Sequence, residues 1–98
     1  MTTYISGPMT GQPENNVPAF NAKTAELRAL GHAVVNPVEV CAHLPDDANW
    51  RDFMRNDIVA LMQCDTIHML PGWWGSEGAR LEWWLALKLG MNIEGATE

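Results

Sequence analysis

Residues 65–90, DTIHMLPGWWGSEGARLEWWLALKLG, decide how the chain is read. Thr66 to Leu70 form a short apolar run suited to a buried strand, and Asp65 opens it. Pro71-Gly72 stops the run, and the loop Trp73-Trp74-Gly75 leads to Ser76, a good helix cap. Glu77 falls in the first turn of the helix that follows, Lys88 in its last, and Gly90 lies just beyond. A strand, a glycine-rich turn and a helix in succession make a device for gripping a small molecule. One carboxylate, Glu82, sits two turns into that helix.

Outward from this segment, the chain offers a partner for it. TTYIS at 2–6 reads as a first strand stopped by Gly7-Pro8, and SGPMTG at 6–11 is a second glycine-rich turn. A helix is predicted next, with Asn16 as cap, Pro18 in the first turn, an apolar face of Phe20, Ala25, Leu27 and Leu30, and Gly31 at its end. HAVVN at 32–36 is a short second strand stopped by Pro37, and residues 37–49 are expected to be a long loop, a lid or an edge of the site. A second helix from residue 49 or 50 to 63 carries Phe53, Met54, Ile58, Leu61 and Met62 at helical spacing. Met91 to Glu94 complete a fourth strand.

This alternation predicts an α/β fold: a three-layer αβα sandwich around a small parallel sheet, Rossmann- or flavodoxin-like, with strand order 2-1-3-4. Ligands of such sheets sit beyond the carboxyl ends of the strands, at the point where the strand order reverses. Strands one and three would then bring both glycine-rich loops to one crevice.

Ninety-eight residues, 47% of them hydrophobic, fit one domain over 1–98 with a single modest core. No run reaches the length of a membrane span and the N-terminus lacks signal-peptide regions, so the chain reads as cytoplasmic. Cys41 and Cys64 are too few for a disulfide scaffold or zinc site, and the three histidines lack metal-ligand spacing; no metal or other cofactor is expected. A net charge of −6 with six basic residues argues against a nucleic-acid surface, which needs basic stripes. It leaves room for a small phosphorylated ligand, because helix N-termini bind phosphate through backbone amides. Five tryptophans exceed what so small a core absorbs, so some are expected at a pocket or a subunit interface.

Glu82 is the sharpest chemical candidate. An arbitrary helix glutamate is a solvated one, but this one has Leu81, Trp83, Trp84 and Leu85 as neighbours, and Gly78 and Ala79 leave space beside it. Asp57 is an acid inside the second helix, where aspartate is a poor helix former; its plain role is an ion pair with Arg51, Arg55 or Arg80. Asp65 suits a structural role at the loop amides, Ser76 is first a cap, and Tyr4 first a core aromatic.

Taken together, YISGPMTG at 4–11, Asn36-Pro37, the R-x-D-x-x-x-L-x-x-C-D pattern at 55–65 and G-W-x-x-S-x-G-A-x-x-E at 72–82 resemble the nucleoside 2-deoxyribosyltransferase-like superfamily. Within it, the chain is most similar to the small group called domain of unknown function 4406, common in phage and bacterial genomes. The resemblance spans nearly the whole chain. It implies an N-glycosidase or deoxyribosyltransferase-like enzyme acting on a nucleotide or nucleoside, without metal. Glu82 would be the nucleophile at C1′, Asp57 the group assisting the departing base, and Tyr4 the aromatic residue that positions the nucleophile. Ser6, Gly7, Pro8, Met9 and Gly11 would wrap base and sugar, with Asp65, Gly72, Trp73, Ser76, Gly78 and Ala79 completing the substrate site. Ser76 stands where monophosphate glycosidases of the superfamily carry a serine toward the 5′-phosphate and transferases carry an acid. The resemblance also implies a homodimer or larger homo-oligomer. The alternative from a different class is a catalytically silent nucleotide-binding module.

Overall fold

The computed structural model describes residues 1–98. Its centre is a four-stranded, all-parallel sheet: β1 (Thr2–Ser6), β2 (Ala33–Val35), β3 (Thr66–Met69) and β4 (Asn92–Gly95), in the order β2-β1-β3-β4. The helices are α1 (Val17–Ala29), α2 (Pro37–Val40), α3 (Trp50–Leu61) and α4 (Glu77–Lys88), with 3-10 turns at Pro13–Asn16 and Trp73–Gly75. The order is the one expected from the alternation of elements.

The alternation of side chains along the strands makes two cores. Tyr4, Ile67 and Met69 pack with Ala60 and Leu61 of α3 and with Ala79 and Ala86 of α4. On the opposite face, Ile5, Val34 and Leu70 pack with Phe20 of α1. Helices therefore cover both faces of the sheet, which is why β1 and β3 are buried along almost their whole length. Tyr4, Ile5 and Ile67 are fully buried, and each such side chain contributes roughly 1.5–3 kcal/mol relative to exposure.

Close approach of backbones demands glycine at two places. A Cβ on Gly7 would lie 2.7 Å from the Cβ of Leu70, where the ends of β1 and β3 run together. Gly95 has a φ of +94° and closes β4 against β3, with room for no Cβ: one built there would be 2.4 Å from the Met69 carbonyl oxygen.

Three local expectations are corrected. Residues 37–49 are not all loop, because Asn36 caps α2: its side chain accepts from the Val38 amide at 3.0 Å and Pro37 occupies the first turn. The Asn-Pro pair that stops β2 thus also starts a helix. Asn16 does not cap α1 with its side chain. It is left-handed, as are Glu14 and Asn15, whereas a capping residue adopts extended backbone. Finally, α3 ends at Leu61 rather than 63. Its start is secured by a capping box in which Asn49 and Asp52 each accept from the other's amide at 3.0 Å.

Candidate active site

β1 and α4 meet at a buried carboxyl group. Glu82 lies on the inner face of α4, 5% exposed, against the carboxyl end of β1. The Tyr4 hydroxyl donates to its Oε2 at 2.6 Å and the Ser6 hydroxyl to its Oε1 at 2.7 Å. Residues 4 and 6 are two apart on one strand, so both point to the same face. The spacing of β1 thereby supplies two hydroxyls to one carboxylate, each oxygen taking one.

Burial pushes the Glu82 carboxyl up to about 8, against the lowering effect of the Tyr4 and Ser6 hydrogen bonds, and the charge of Asp57 adds to the rise. Tyr4 is raised well above its ordinary value by burial and by the Glu82 charge, and so stays a protonated donor. The second acid, Asp57, projects from α3 and is also buried. Its carboxyl rises to about 6 through desolvation, partly offset by a hydrogen bond from the Cys41 thiol at 3.1 Å. No arginine pairs with it; Arg80 instead donates to the Trp74 carbonyl at 2.7 Å, and Arg28 pairs with Glu39.

Tyr4, Asp57 and Glu82 share the wall of one cavity of about 440 Å³, a size suited to a small molecule. Gly7 and Met9 border it from the loop after β1, and Ser76, Gly78 and Ala79 from the start of α4. The rest of the wall is largely apolar, with Phe20, Val38, Trp50, Phe53 and Met54 prominent. No lysine, arginine or histidine lines it. Positive helix-dipole potential reaches the wall at the N-terminus of α4, where Ser76 Oγ accepts from the Ala79 amide at 3.2 Å. The amides of Glu77 and Gly78 precede any intrahelical acceptor and remain free to bind an anion.

Several residues named from the sequence stand elsewhere. Ser6 is fully buried behind Glu82 and reaches the cavity only through it. Pro8 packs toward Gly72, so these two meet each other instead of the cavity, and Gly11 also lies off its wall. Asp65 sits at the amino end of β3, opposite the site, where its carboxylate accepts from the Thr2 amide at 2.9 Å. Trp73 is a core residue: its indole N–H donates to the Ala96 carbonyl at 2.8 Å and its ring packs against Trp74 and Trp83, centroids 5.3 Å away in each case. Gly78 owes its missing side chain to Met54, whose Sδ would be 3.1 Å from a Cβ there, so it makes room for α3 as well as for a ligand.

Sequence reasoning missed Trp50, Phe53 and Cys41 as parts of the wall. Trp50 and Phe53 open α3 close to its cap and stay about 40% exposed, a high exposure for large aromatics. That pattern is visible only once the facing helix is known. Cys41 falls within residues 37–49, the expected lid or edge of the site, but nothing marked the residue itself, since an isolated cysteine reads as a small hydrophobe.

Residues 1–94 match the family model described as Domain of unknown function (DUF4406). Among solved structures, the chain is similar to a 2-deoxyribosyltransferase from the psychrotolerant bacterium Bacillus psychrosaccharolyticus, with a TM-score of 0.78 over 97% of this chain and 71% of that one. Sequence identity is 19%, so the likeness is one of fold. That enzyme is described as a biocatalyst for the synthesis of antiviral and antitumoral nucleosides. Comparison with curated proteins gives no match.

Proposed function

Because the chain belongs to the DUF4406 family and has a deoxyribosyltransferase-like fold, we propose that it is an enzyme cleaving the N-glycosidic bond of a 2′-deoxynucleoside 5′-monophosphate or nucleoside. The observation that carries this reading is the Glu82 carboxyl held by the Tyr4 and Ser6 hydroxyls on the wall of a cavity that Asp57 shares. Two acids in a mostly apolar pocket are the equipment of retaining glycoside cleavage.

In this reading ionised Glu82 attacks C1′ of the deoxyribosyl group as the C1′–N bond breaks. Asp57 delivers its proton to the departing base. The deoxyribosyl ester on Glu82 is then resolved by water, giving the free sugar, or by a second base, giving exchange. The hydroxyls of Tyr4 and Ser6 hold the carboxylate in place, which removes the entropy of aiming it. Trp50 and Phe53 offer flat apolar faces at the cavity mouth for a nucleobase. The start of α4 is the natural seat of a 5′-phosphate: Ser76 and the free amides there supply donors where the wall has no cation.

The test is base release from a panel of deoxynucleosides and their monophosphates, followed by chromatography. Wild type is expected to release base, and Glu82→Gln to lose on the order of a thousandfold or more, as nucleophile removal does. Absence of release from every substrate, or full activity in Glu82→Gln, overturns the enzymatic reading. Tight binding of a nucleotide without release would move the protein to the silent binding class.

A further inference from the structure

Cys41 occupies the first position after α2, and its thiol is the sole protein hydrogen-bond partner of the Asp57 carboxyl group. Sγ lies 3.1 Å from Asp57 Oδ1 and 3.9 Å from the Phe53 carbonyl oxygen, so the carboxylate is the favoured acceptor. Both residues border the cavity. The second carboxylate oxygen of Asp57 takes no protein hydrogen bond, yet no buried side-chain oxygen in the protein is left sealed and unpartnered. That oxygen is therefore open to the cavity. The thiol is a strong choice for a donor here in one respect: burial and the Asp57 charge push it up to about 12, so it keeps its proton throughout the range in which Asp57 titrates.

We propose that Cys41 is a positioning residue, whose thiol holds one oxygen of Asp57 and leaves the other presented to the substrate's leaving group. The inference rests on the enzymatic reading above and deepens it. A carboxyl on a helix has freedom about two side-chain bonds, and one fixed hydrogen bond selects the rotamer in which the other oxygen faces the cavity. The thiol also stabilises the charged form of Asp57, opposing desolvation. The other ionisable groups facing this carboxyl are Tyr4 from β1 and Glu82 from α4; no basic side chain lines the cavity to take over the thiol's part.

The experiment compares wild type with Cys41→Ser, Cys41→Val and, as a control away from the cavity, Cys64→Ala. Asp57 is titrated in the free protein by carboxyl carbon NMR, and the pH dependence of base release is measured alongside. Cys41→Val removes the donor and keeps the site apolar, with a slightly larger side chain; its Asp57 is expected to titrate about half a unit to one unit higher, with the acid limb of kcat/KM moving equally. Cys41→Ser restores a donor and is expected to return both toward wild type, while Cys64→Ala changes neither. Asp57 titrating identically in wild type and Cys41→Val overturns the proposal, as does failure of serine to restore a valine-induced shift. A valine-induced shift that serine reverses, with no base release from any protein including wild type, would leave the hold on Asp57 standing and sink only the enzymatic reading. Circular dichroism of each variant checks folding; if valine does not fold, Cys41→Ala, which also lacks the donor, is expected to show the same upward shift of Asp57, and an unshifted Asp57 in it overturns the proposal.

Discussion

Glu82 shows how one residue trades stability for chemistry. Its carboxyl has an ordinary value of 4.5 and rises to about 8 on folding, so the folded state holds the proton more tightly than the unfolded chain. That contribution to stability is complete below pH 4.5 and is lost as the pH rises through 8. Glu82→Gln removes the burden of a buried charge while keeping polar atoms for Tyr4 and Ser6. Its melting temperature is expected to exceed wild type by about 5 °C or more at pH 8, with the gap closing toward pH 4.5. Differential scanning calorimetry across that range checks both the sign and the window. Gly7 makes the complementary case for space: Gly7→Ala forces a Cβ within 2.7 Å of Leu70, and a loss of about 1–3 kcal/mol in denaturant unfolding is expected.

At the scale of elements, α4 does two jobs from its first two turns. Ser76 caps it and borders the cavity, while Glu82 reaches the end of β1. Ser76→Ala is expected to cost about 1 kcal/mol in thermal unfolding through the lost cap. On the proposed function it also raises KM for a monophosphate more than for the matching nucleoside. Equal KM changes for both would remove Ser76 from phosphate recognition and leave it a cap. The glycine-rich turn, the cap and the amphipathic run were legible because each is a local preference of the chain. α2 and the left-handed turn at Glu14–Asn16 were not, since Asn-Pro both ends a strand and starts a helix, and backbone strain leaves no mark in the residue pattern.

For the molecule as a whole, α3 and α4 lie on the same side of the sheet and bring Asp57 and Glu82 to one cavity. With carboxyls at about 6 and about 8, the pair holds one proton between those limits. In that state the proton rests mainly on Glu82, whereas the proposed cleavage needs the other tautomer, Glu82 ionised to attack and Asp57 protonated to give, which the gap of two units makes about a hundredfold rarer. A bell-shaped profile of kcat/KM is expected, rising through about 6 as the first proton leaves and falling through about 8 as the second does. A profile flat from pH 5 to 9 would show that these two acids are not the working pair.

The sequence by itself determined the four strands, the three long helices and the order in which they alternate, because hydrophobic period, caps and turn residues act over a few neighbours. It also singled out Glu82, an acid embedded among apolar residues, and the resemblance assigned roles to Asp57 and Tyr4. Only the tertiary structure decided who touches whom. It joined Tyr4 and Ser6 to Glu82 across 78 and 76 residues of chain, and Cys41 to Asp57 across 16. It also sent Trp73 into the core and Asp65 to the far end of the sheet. The physical reason is that hydrogen bonds and desolvation depend on distances set by packing of α3 and α4 on the sheet, and such distances are not a property of any short stretch of chain.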